Sequence, residues 1–133
     1  MQIVAFPNLS YVLAVAIGGA VGSVVRFLTW HYSVAWWGMT FPWGTFIVNI
    51  FGSLWLGFFG GLAVDKPGVL DPNVKFLLTS GFAGGLTTWS SLAFETLALY
   101  QRGDTALALI NIAANVVVGM IAVFLGATIA RSI

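Results

Sequence analysis

The stretch "GFAGGLTTWSSLAFE", residues 81–95, sets hydroxyl groups and a carboxylate within a long apolar segment. Three glycines precede a run of threonines and serines, and Glu95 follows one helical turn later. Glycines weaken a helix, and hydroxyls can satisfy the backbone groups that a break sets free. If the segment crosses a bilayer, the pattern predicts a helix that is broken at mid-membrane. The alternative is a continuous helix whose hydroxyls bond to its own carbonyls.

The composition indicates an integral membrane protein. Of the 133 residues, 59% are hydrophobic and only 7% are charged, whereas average soluble domains carry roughly 25% charged residues. The net charge of +1 is too small for a protein that binds nucleic acid. The chain has no cysteine, which excludes disulfides and thiolate metal sites.

Four segments are long and apolar enough to cross a membrane, since a spanning helix needs about 20 apolar residues. They cover about 9–30, 43–64, 76–99 and 105–129. The connectors "HYSVAWWGMTFP", "DKPGVLDPNVK" and "YQRGD" are short. We therefore predict an all-α membrane protein with one four-helix domain over residues 1–133, multi-pass in the cell inner (plasma) membrane. The sequence begins without the basic leader of a signal peptide, so we expect the first apolar segment to be retained.

The charges flanking these segments favour neither orientation clearly. With four spans, Lys66, Lys75 and Arg131 lie on the side of both termini, and Arg26 and Arg102 lie on the other. Three basic residues against two is a weak bias under the positive-inside rule. Insertion in both orientations (dual topology) and insertion in one orientation both remain open.

Small residues recur at the spacing of packed membrane helices. Gly18 and Gly22 form a GxxxG pair in the first segment, and Gly81 and Gly85 form one in the third. Such pairs let helix backbones approach closely in lipid. We expect most of the glycines to serve this packing.

Three asparagines within the predicted spans are candidate polar contacts. Asn49 can donate its amide hydrogens to an anion, and Asn111 and Asn115 are four residues apart and share a helix face. Hydrogen bonding between helices is the alternative for each of them, and for Asn115 it weighs equally.

Arg26 and Glu95 are the charged residues nearest to the predicted spans' polar groups. Arg26 could attract anions, extend to the interface or pair with Glu95. Glu95 could be a proton or cation site, or a vestibule carboxylate paired with a base. Hydroxyls, amides and an arginine outnumber carboxylates, whereas a cation pathway usually shows acidic rings. The set suits a small anion that is passed between donors.

Three motifs resemble those of one family, the Fluc (CrcB) fluoride channels. They are "GGAVGSVVRF" (18–27), "GTFIVNIFGS" (44–53) and "GFAGGLTTWSSLAFE" (81–95). The motifs occur in the family's order, and the resemblance spans nearly the whole chain.

This resemblance implies an antiparallel, dual-topology homodimer that passively exports cytoplasmic fluoride, rather than an enzyme. It also implies a central Na⁺ held by backbone carbonyls at the break, which correspond to Gly84 and Thr87. Carbonyl oxygens suit such a hard cation. The residues that we assign to the fluoride pathway are Asn49, Thr88, Trp89, Ser90, Ser91, Leu92, Asn111, Arg26 and Glu95.

The chain departs from the family pattern at the pore wall. The family usually reads Thr-Thr-Phe-Ser-Thr-Phe-Ser, whereas residues 87–93 read "TTWSSLA". Trp89 keeps the positive ring edge that can face an anion and adds an N–H donor. Leu92 offers no such edge, although its three-residue spacing from Trp89 puts both on one helix face. Phe94 is expected on another face.

Two other classes share the size and helix count. A small dual-topology multidrug or guanidinium transporter would be expected to carry a glutamate in its first span, and none is present. A membrane assembly factor that transports nothing is the other alternative.

Overall fold

The computed structural model describes residues 6–133, and this part of the chain is helical and contains no β-strand. The helices are α1 (Leu9–Trp37), α2 (Trp43–Asp65), α3 (Pro72–Phe76), α4 (Gly84–Leu86), α5 (Trp89–Gln101) and α6 (Thr105–Ser132). A π-helical segment, Leu77–Ala83, joins α3 to α4. The all-α prediction is confirmed for the described residues.

Three of these helices, α1, α2 and α6, are long and apolar enough to cross a bilayer. Their bounds contain the predicted segments at about 9–30, 43–64 and 105–129. The predicted segment at about 76–99 is instead divided between the π-helical segment, α4 and α5. No single helix in it has the length of a membrane span.

The first helix is longer than predicted. The stretch from His31 to Trp37, which we expected to be a connector, continues α1. This expectation was wrong because those residues include no glycine or proline to end a helix. Gly38 ends it instead, with a φ of 72° that favours glycine, and its N–H bonds to the carbonyl of Val34.

The glycine pairs of the first and third segments pack against each other as predicted. A Cβ atom added to Gly18 would collide with the backbone of Leu77 and Phe82, and one added to Gly85 would collide with the backbone of Gly19. Because nothing larger than hydrogen fits at these positions, α1 lies directly against the π-helical segment and α4. This contact fixes one side of the segment that carries the polar run.

α2 packs on α6 in a similar way over half of its length. A Cβ atom on Gly57 would collide with the backbone of Val123, and one on Gly126 would collide with the backbone of Leu54. The two backbones therefore touch near one end of the pair. The other half of the same pair carries Asn49 and Asn115, which belong to the candidate site.

The helical run of the third segment is interrupted between α4 and α5. Thr87 has a ψ of 156° and Thr88 has φ and ψ of −153° and 117°, so both residues are extended. The Thr88 hydroxyl accepts a hydrogen bond from the Ser91 N–H and thereby caps α5. The chain thus begins a new helix at the centre of the "GGLTTWSS" stretch.

Candidate functional site

Asn49 of α2 pairs with the extended backbone of Thr88. The Thr88 N–H donates to Asn49 Oδ1 at 2.8 Å, and Asn49 Nδ2 donates to the Thr88 carbonyl at 3.2 Å. The amide side chain thus uses one donor and one acceptor toward the same residue, as a neighbouring β-strand would. Its second N–H donates to Asn115 Oδ1 at 2.9 Å. Both amide hydrogens of Asn49 are therefore engaged by protein oxygens.

The hydrogen bonds continue from Asn115 into α6 and α5. Asn115 Nδ2 donates to the carbonyl and to Oδ1 of Asn111, at 2.8 Å and 3.2 Å. Asn111 Nδ2 donates to the Thr96 hydroxyl at 3.0 Å, and that hydroxyl donates to the carbonyl of Leu92 at 2.7 Å. We call these four side chains, Asn49, Asn115, Asn111 and Thr96, the amide chain. Asn111 is fully buried in it, so its side chain contacts other protein groups rather than a cavity.

The interruption leaves two carbonyls without their usual helical donors. In a continuous α-helix the N–H groups of Thr88 and Ser91 would bond to the carbonyls of Gly84 and Thr87. Here Thr88 donates to Asn49, and Ser91 donates to the Thr88 hydroxyl at 3.1 Å. Two carbonyl oxygens released at one break are ligands of the kind that Na⁺ takes in proteins. The donor set therefore fits such an ion.

Gly84 lies on the outside of the single chain. Its backbone is exposed, and a Cβ atom added to it would meet nothing within 4 Å. Gly84 is thus unlike the other glycines of the third segment, which are in contact with α1. Gly84 is therefore accessible at the surface of the single chain.

A cleft of about 380 Å³ opens on one side of Thr88, and we call it the Arg26 cleft. Its polar lining consists of Ser23, Arg26, Thr45, Thr88, Ser91 and Glu95. Thr45 donates a hydrogen bond to Glu95 Oε1 at 2.8 Å, while Glu95 Oε2 is buried without a partner. Arg26 and Glu95 line the same cleft, but no salt bridge joins them in the described chain. Of the roles left open for Arg26, pairing with Glu95 is not seen.

A second cavity that Thr88 lines is a groove of about 350 Å³ between α2, α5 and α6, and we call it the Trp89 groove. Asn49, Thr88, Trp89 and Leu92 line it, together with Asn115 and apolar residues of α6. Trp89 is 71% exposed, whereas Leu92 is only 3% exposed. Both residues face the same groove, as predicted, but Leu92 is chiefly a packing residue there.

Thr88 lines both cavities, with 7% of its surface exposed. Its hydroxyl donates to Ser91 Oγ at 3.1 Å and lies 3.3 Å from Ser90 Oγ. Ser90 and Phe94 face a third cavity, bounded by the 38–42 loop. Phe94 is therefore on another face, as predicted. Ser90 is adjacent to the two cavities without lining them.

Sequence reasoning missed Thr45 and Thr96, which bond to Glu95 and Asn111. A signal for Thr45 exists, because it lies four residues before Asn49 and so on the same face of α2. Thr96 carries no such signal. Its importance comes from the contact of α5 with α6, which spacing along one helix cannot show.

The chain matches the model of a family described as CrcB-like protein, Camphor Resistance (CrcB), over residues 13–127. The match covers all three motifs of the sequence analysis and both cavities.

Several similar proteins carry the name fluoride-specific ion channel FluC. One from Sulfurihydrogenibium sp. (strain YO3AOP1) is 41% identical over 90% of this chain and 95% of its own length. One from Methylobacillus flagellatus is 42% identical over 86% of this chain and 90% of its own length. One from Aquifex aeolicus is 39% identical over 92% of this chain and 98% of its own length.

Proposed function

The chain belongs to the CrcB family, and from this premise we propose that it is an ion channel that passively exports cytoplasmic fluoride. It is a multi-pass protein of the plasma membrane. Hydrogen fluoride enters a cell as a neutral acid and dissociates in the cytoplasm, where the anion is trapped. A passive pathway for the anion lowers its concentration without coupling to another ion. No bond is made or broken, so the protein needs no catalytic residues.

The observation that carries the pathway is that Thr88 lines two cavities. We propose that fluoride enters the Arg26 cleft, passes the hydroxyls of Thr88, Ser90 and Ser91, and continues along the Trp89 groove. An unpaired buried charge is very costly, so each lost water must be replaced by a donor. The hydroxyls of Ser90 and Ser91 and the indole N–H of Trp89 can donate in this way, whereas the Thr88 hydroxyl already donates to Ser91. Arg26 would attract the anion to the cleft, and the Glu95 carboxylate, held by Thr45, would limit its residence there.

We further propose that α3 to α5 together make a fourth, broken crossing within one transmembrane domain. The π-helical segment and α4 lie along α1, and α5 lies along α6. Both neighbours are span-length helices, which supports a crossing of the same membrane. The two extended residues of the interruption then lie inside protein, where non-helical backbone is tolerated.

We propose that two copies assemble as an antiparallel homodimer. The near balance of basic residues on the two sides supports insertion in both orientations. The exposed Gly84 and Trp89 supply a surface that a second chain would cover. Cysteines introduced singly into the 66–71 and 38–42 loops test this in native membranes. Cross-links between opposite loops support the proposal, and exclusively like-to-like cross-links contradict it.

We propose that Na⁺ binds the carbonyls of Gly84 and Thr87 near the dimer centre. When bound, it supplies a fixed positive charge beside the anion pathway. The chain's part is to keep these carbonyls free of helical donors, as the bonds to Asn49 Oδ1 and Thr88 Oγ1 do. We expect fluoride flux to fall after prolonged Na⁺ depletion that elemental analysis confirms. Full flux from verified Na⁺-free protein would contradict a functional ion.

Efflux from liposomes tests the proposed function. Purified protein is reconstituted in vesicles loaded with fluoride or chloride, and an ion-selective electrode follows release when a potassium ionophore balances the charge. We expect rapid fluoride release and negligible chloride release. Release that requires a proton gradient, or that exchanges for organic cations, would favour the small-transporter alternative.

A further inference from the structure

We infer that Asn49 is a positioning residue, whose amide oxygen keeps the helix interrupted at Thr88 by taking the N–H that would otherwise close onto Gly84. This inference rests on the proposed function only where it concerns Na⁺. It differs from the sequence-based expectation that Asn49 donates its own hydrogens to the anion.

The first step is a competition between two acceptors. Thr88 follows Gly84 by four residues, so its N–H is the donor that an uninterrupted α-helix would give to the Gly84 carbonyl. Asn49 Oδ1 accepts this N–H at 2.8 Å instead. The competing acceptor would extend the helical run that already continues from α3 through the π-helical segment to α4, so the Asn49 bond competes with one further turn of that run. Removing that acceptor returns the Thr88 N–H to Gly84.

The second step is that the orientation of Asn49 is determined by the backbone. The Thr88 N–H can donate only to the amide oxygen of Asn49, and the Thr88 carbonyl can accept only from the amide nitrogen of Asn49. Asn49 Nδ2 must therefore also face Asn115, which presents Oδ1 to it at 2.9 Å. Asn115 in turn directs its nitrogen to Asn111, and Asn111 directs its nitrogen to Thr96. The backbone of Thr88 thus sets the orientation of Asn49, and the backbone carbonyl of Asn111 sets the same direction at Asn115.

The third step is that Asn49 has no hydrogen left for an ion. Its two amide hydrogens are donated to the Thr88 carbonyl and to Asn115 Oδ1. A bond to fluoride would require one of these partners to be given up, leaving a polar group unpaired in a part-buried site. The hydroxyls of Ser90 and Ser91 and the indole of Trp89 carry no such requirement. Asn49 consequently acts on conduction through Thr88 and Gly84.

The test reads the conformation of Thr88 directly. Full-length dimer in lipid nanodiscs is labelled with ¹³C-threonine, and the Thr88 signals are assigned from a Thr88→Ser sample. Cα and Cβ shifts distinguish extended from helical residues. We expect extended shifts in the wild type and helical shifts in Asn49→Leu. Thr96→Val, which removes the far end of the amide chain, is the matched control and should leave Thr88 extended.

A second readout follows the cation without fluoride. Carbonyl-¹³C glycine, with Gly84 assigned from Gly84→Ala, is titrated with Na⁺. We expect the Gly84 signal to shift with Na⁺ in the wild type and the apparent Kd to rise about tenfold in Asn49→Leu, as for the loss of one hydrogen bond. If the wild-type Gly84 carbonyl signal does not shift with Na⁺, the proposed Na⁺ site is contradicted. The role of Asn49 is not affected by that result, because the Thr88 shifts test it separately.

Extended Thr88 shifts in a folded Asn49→Leu dimer would overturn the inference and return Asn49 to the role of an anion donor. If Asn49→Leu does not fold, Asn49→Ala decides, because it removes the same acceptor for the Thr88 N–H with a smaller side chain. Helical Thr88 shifts in Asn49→Ala support the inference, and extended shifts there overturn it.

Discussion

α2 and α6 contact each other in two different ways along their length. In one half, Gly57 and Gly126 bring the two backbones together with no space for a side chain. In the other half, Asn49 and Asn115 bridge the pair through a 2.9 Å hydrogen bond and extend to Thr88. The first half holds the helices in place by shape. In the second half, side chains of the same two helices form hydrogen bonds that control the backbone of a third segment.

The comparison shows why polar groups can be buried here without weakening the bundle. Every amide nitrogen in the amide chain reaches an oxygen, and the chain ends on the carbonyl of Leu92. A buried network that is satisfied in this way specifies one arrangement, whereas a partly satisfied one destabilises. The glycine half provides the fixed spacing that the hydrogen bonds require.

The largest effect is expected in the glycine half. Gly126→Ala puts a methyl group into the backbone of Leu54 and Phe58. Gly119→Ala, one heptad earlier on α6, makes ordinary contacts with the Ser53 hydroxyl at 3.6 Å and Ile50 Cδ1 at 3.9 Å. Forced overpacking of the kind expected at Gly126 destabilises by on the order of 3 kcal/mol. We expect Gly126→Ala to lose the monodisperse folded protein and Gly119→Ala to retain it, judged by size exclusion and thermal unfolding in detergent. Equal stability of the two variants would contradict the close approach of the backbones.

Trp89 tests the groove beside the polar half. We expect Trp89→Ala to slow fluoride efflux about tenfold to a hundredfold, because a hydrogen bond to a charged group is worth roughly 1.5–3 kcal/mol. Trp89 is 71% exposed in the single chain, so its removal should leave the fold of each subunit unchanged. Phe94→Ala is the control, since Phe94 is 73% exposed and lies on another face. Normal efflux in a dimeric Trp89→Ala protein would remove Trp89 from the pathway.

Leu92 should behave differently from Trp89 because it is buried. Leu92→Ala is expected to lower stability by about 2–5 kcal/mol, as for other buried leucines. We expect the efflux rate per folded dimer to fall less than in Trp89→Ala. Thermal unfolding and efflux measured on the same samples separate the two effects. A Leu92→Ala protein of normal stability and strongly reduced efflux would instead make Leu92 a contact of the ion.

A smaller effect is expected from Asn115. Asn115→Leu removes the acceptor of the second Asn49 N–H but leaves both bonds between Asn49 and Thr88. We expect efflux to fall about fivefold, which corresponds to roughly 1 kcal/mol in the barrier. Thr96→Val should have less effect, since it is two links further from Thr88. The expected order would be contradicted if Thr96→Val slowed efflux more than Asn115→Leu.

Much of this architecture could be predicted from sequence because it follows from composition and local spacing. Apolar length predicted α1, α2 and α6, and GxxxG spacing predicted that Gly18 and Gly85 would lie in contact seams. The continuation of α1 to Trp37 was missed, because interfacial aromatics are compatible with both a helix and a loop.

The partners within the site could be predicted less well. The four-residue spacing of Asn111 and Asn115 put them on one helix face. It could not show that Asn49 donates its two amide hydrogens to the Thr88 carbonyl and to Asn115. Likewise, the three-residue spacing of Trp89 and Leu92 predicted a shared helix face but not that only Trp89 is exposed. These properties depend on which helices meet, and one sequence does not contain that information in a local pattern.

The reversal potential of the current in a planar bilayer tests the central claim most directly. The two sides carry opposed tenfold gradients of fluoride and chloride at equal Na⁺ and equal pH. A fluoride-selective channel is predicted to reverse near the fluoride equilibrium potential, about 59 mV in magnitude for a monovalent ion. Reversal at the chloride potential, or current that appears only with a proton gradient, would contradict the account.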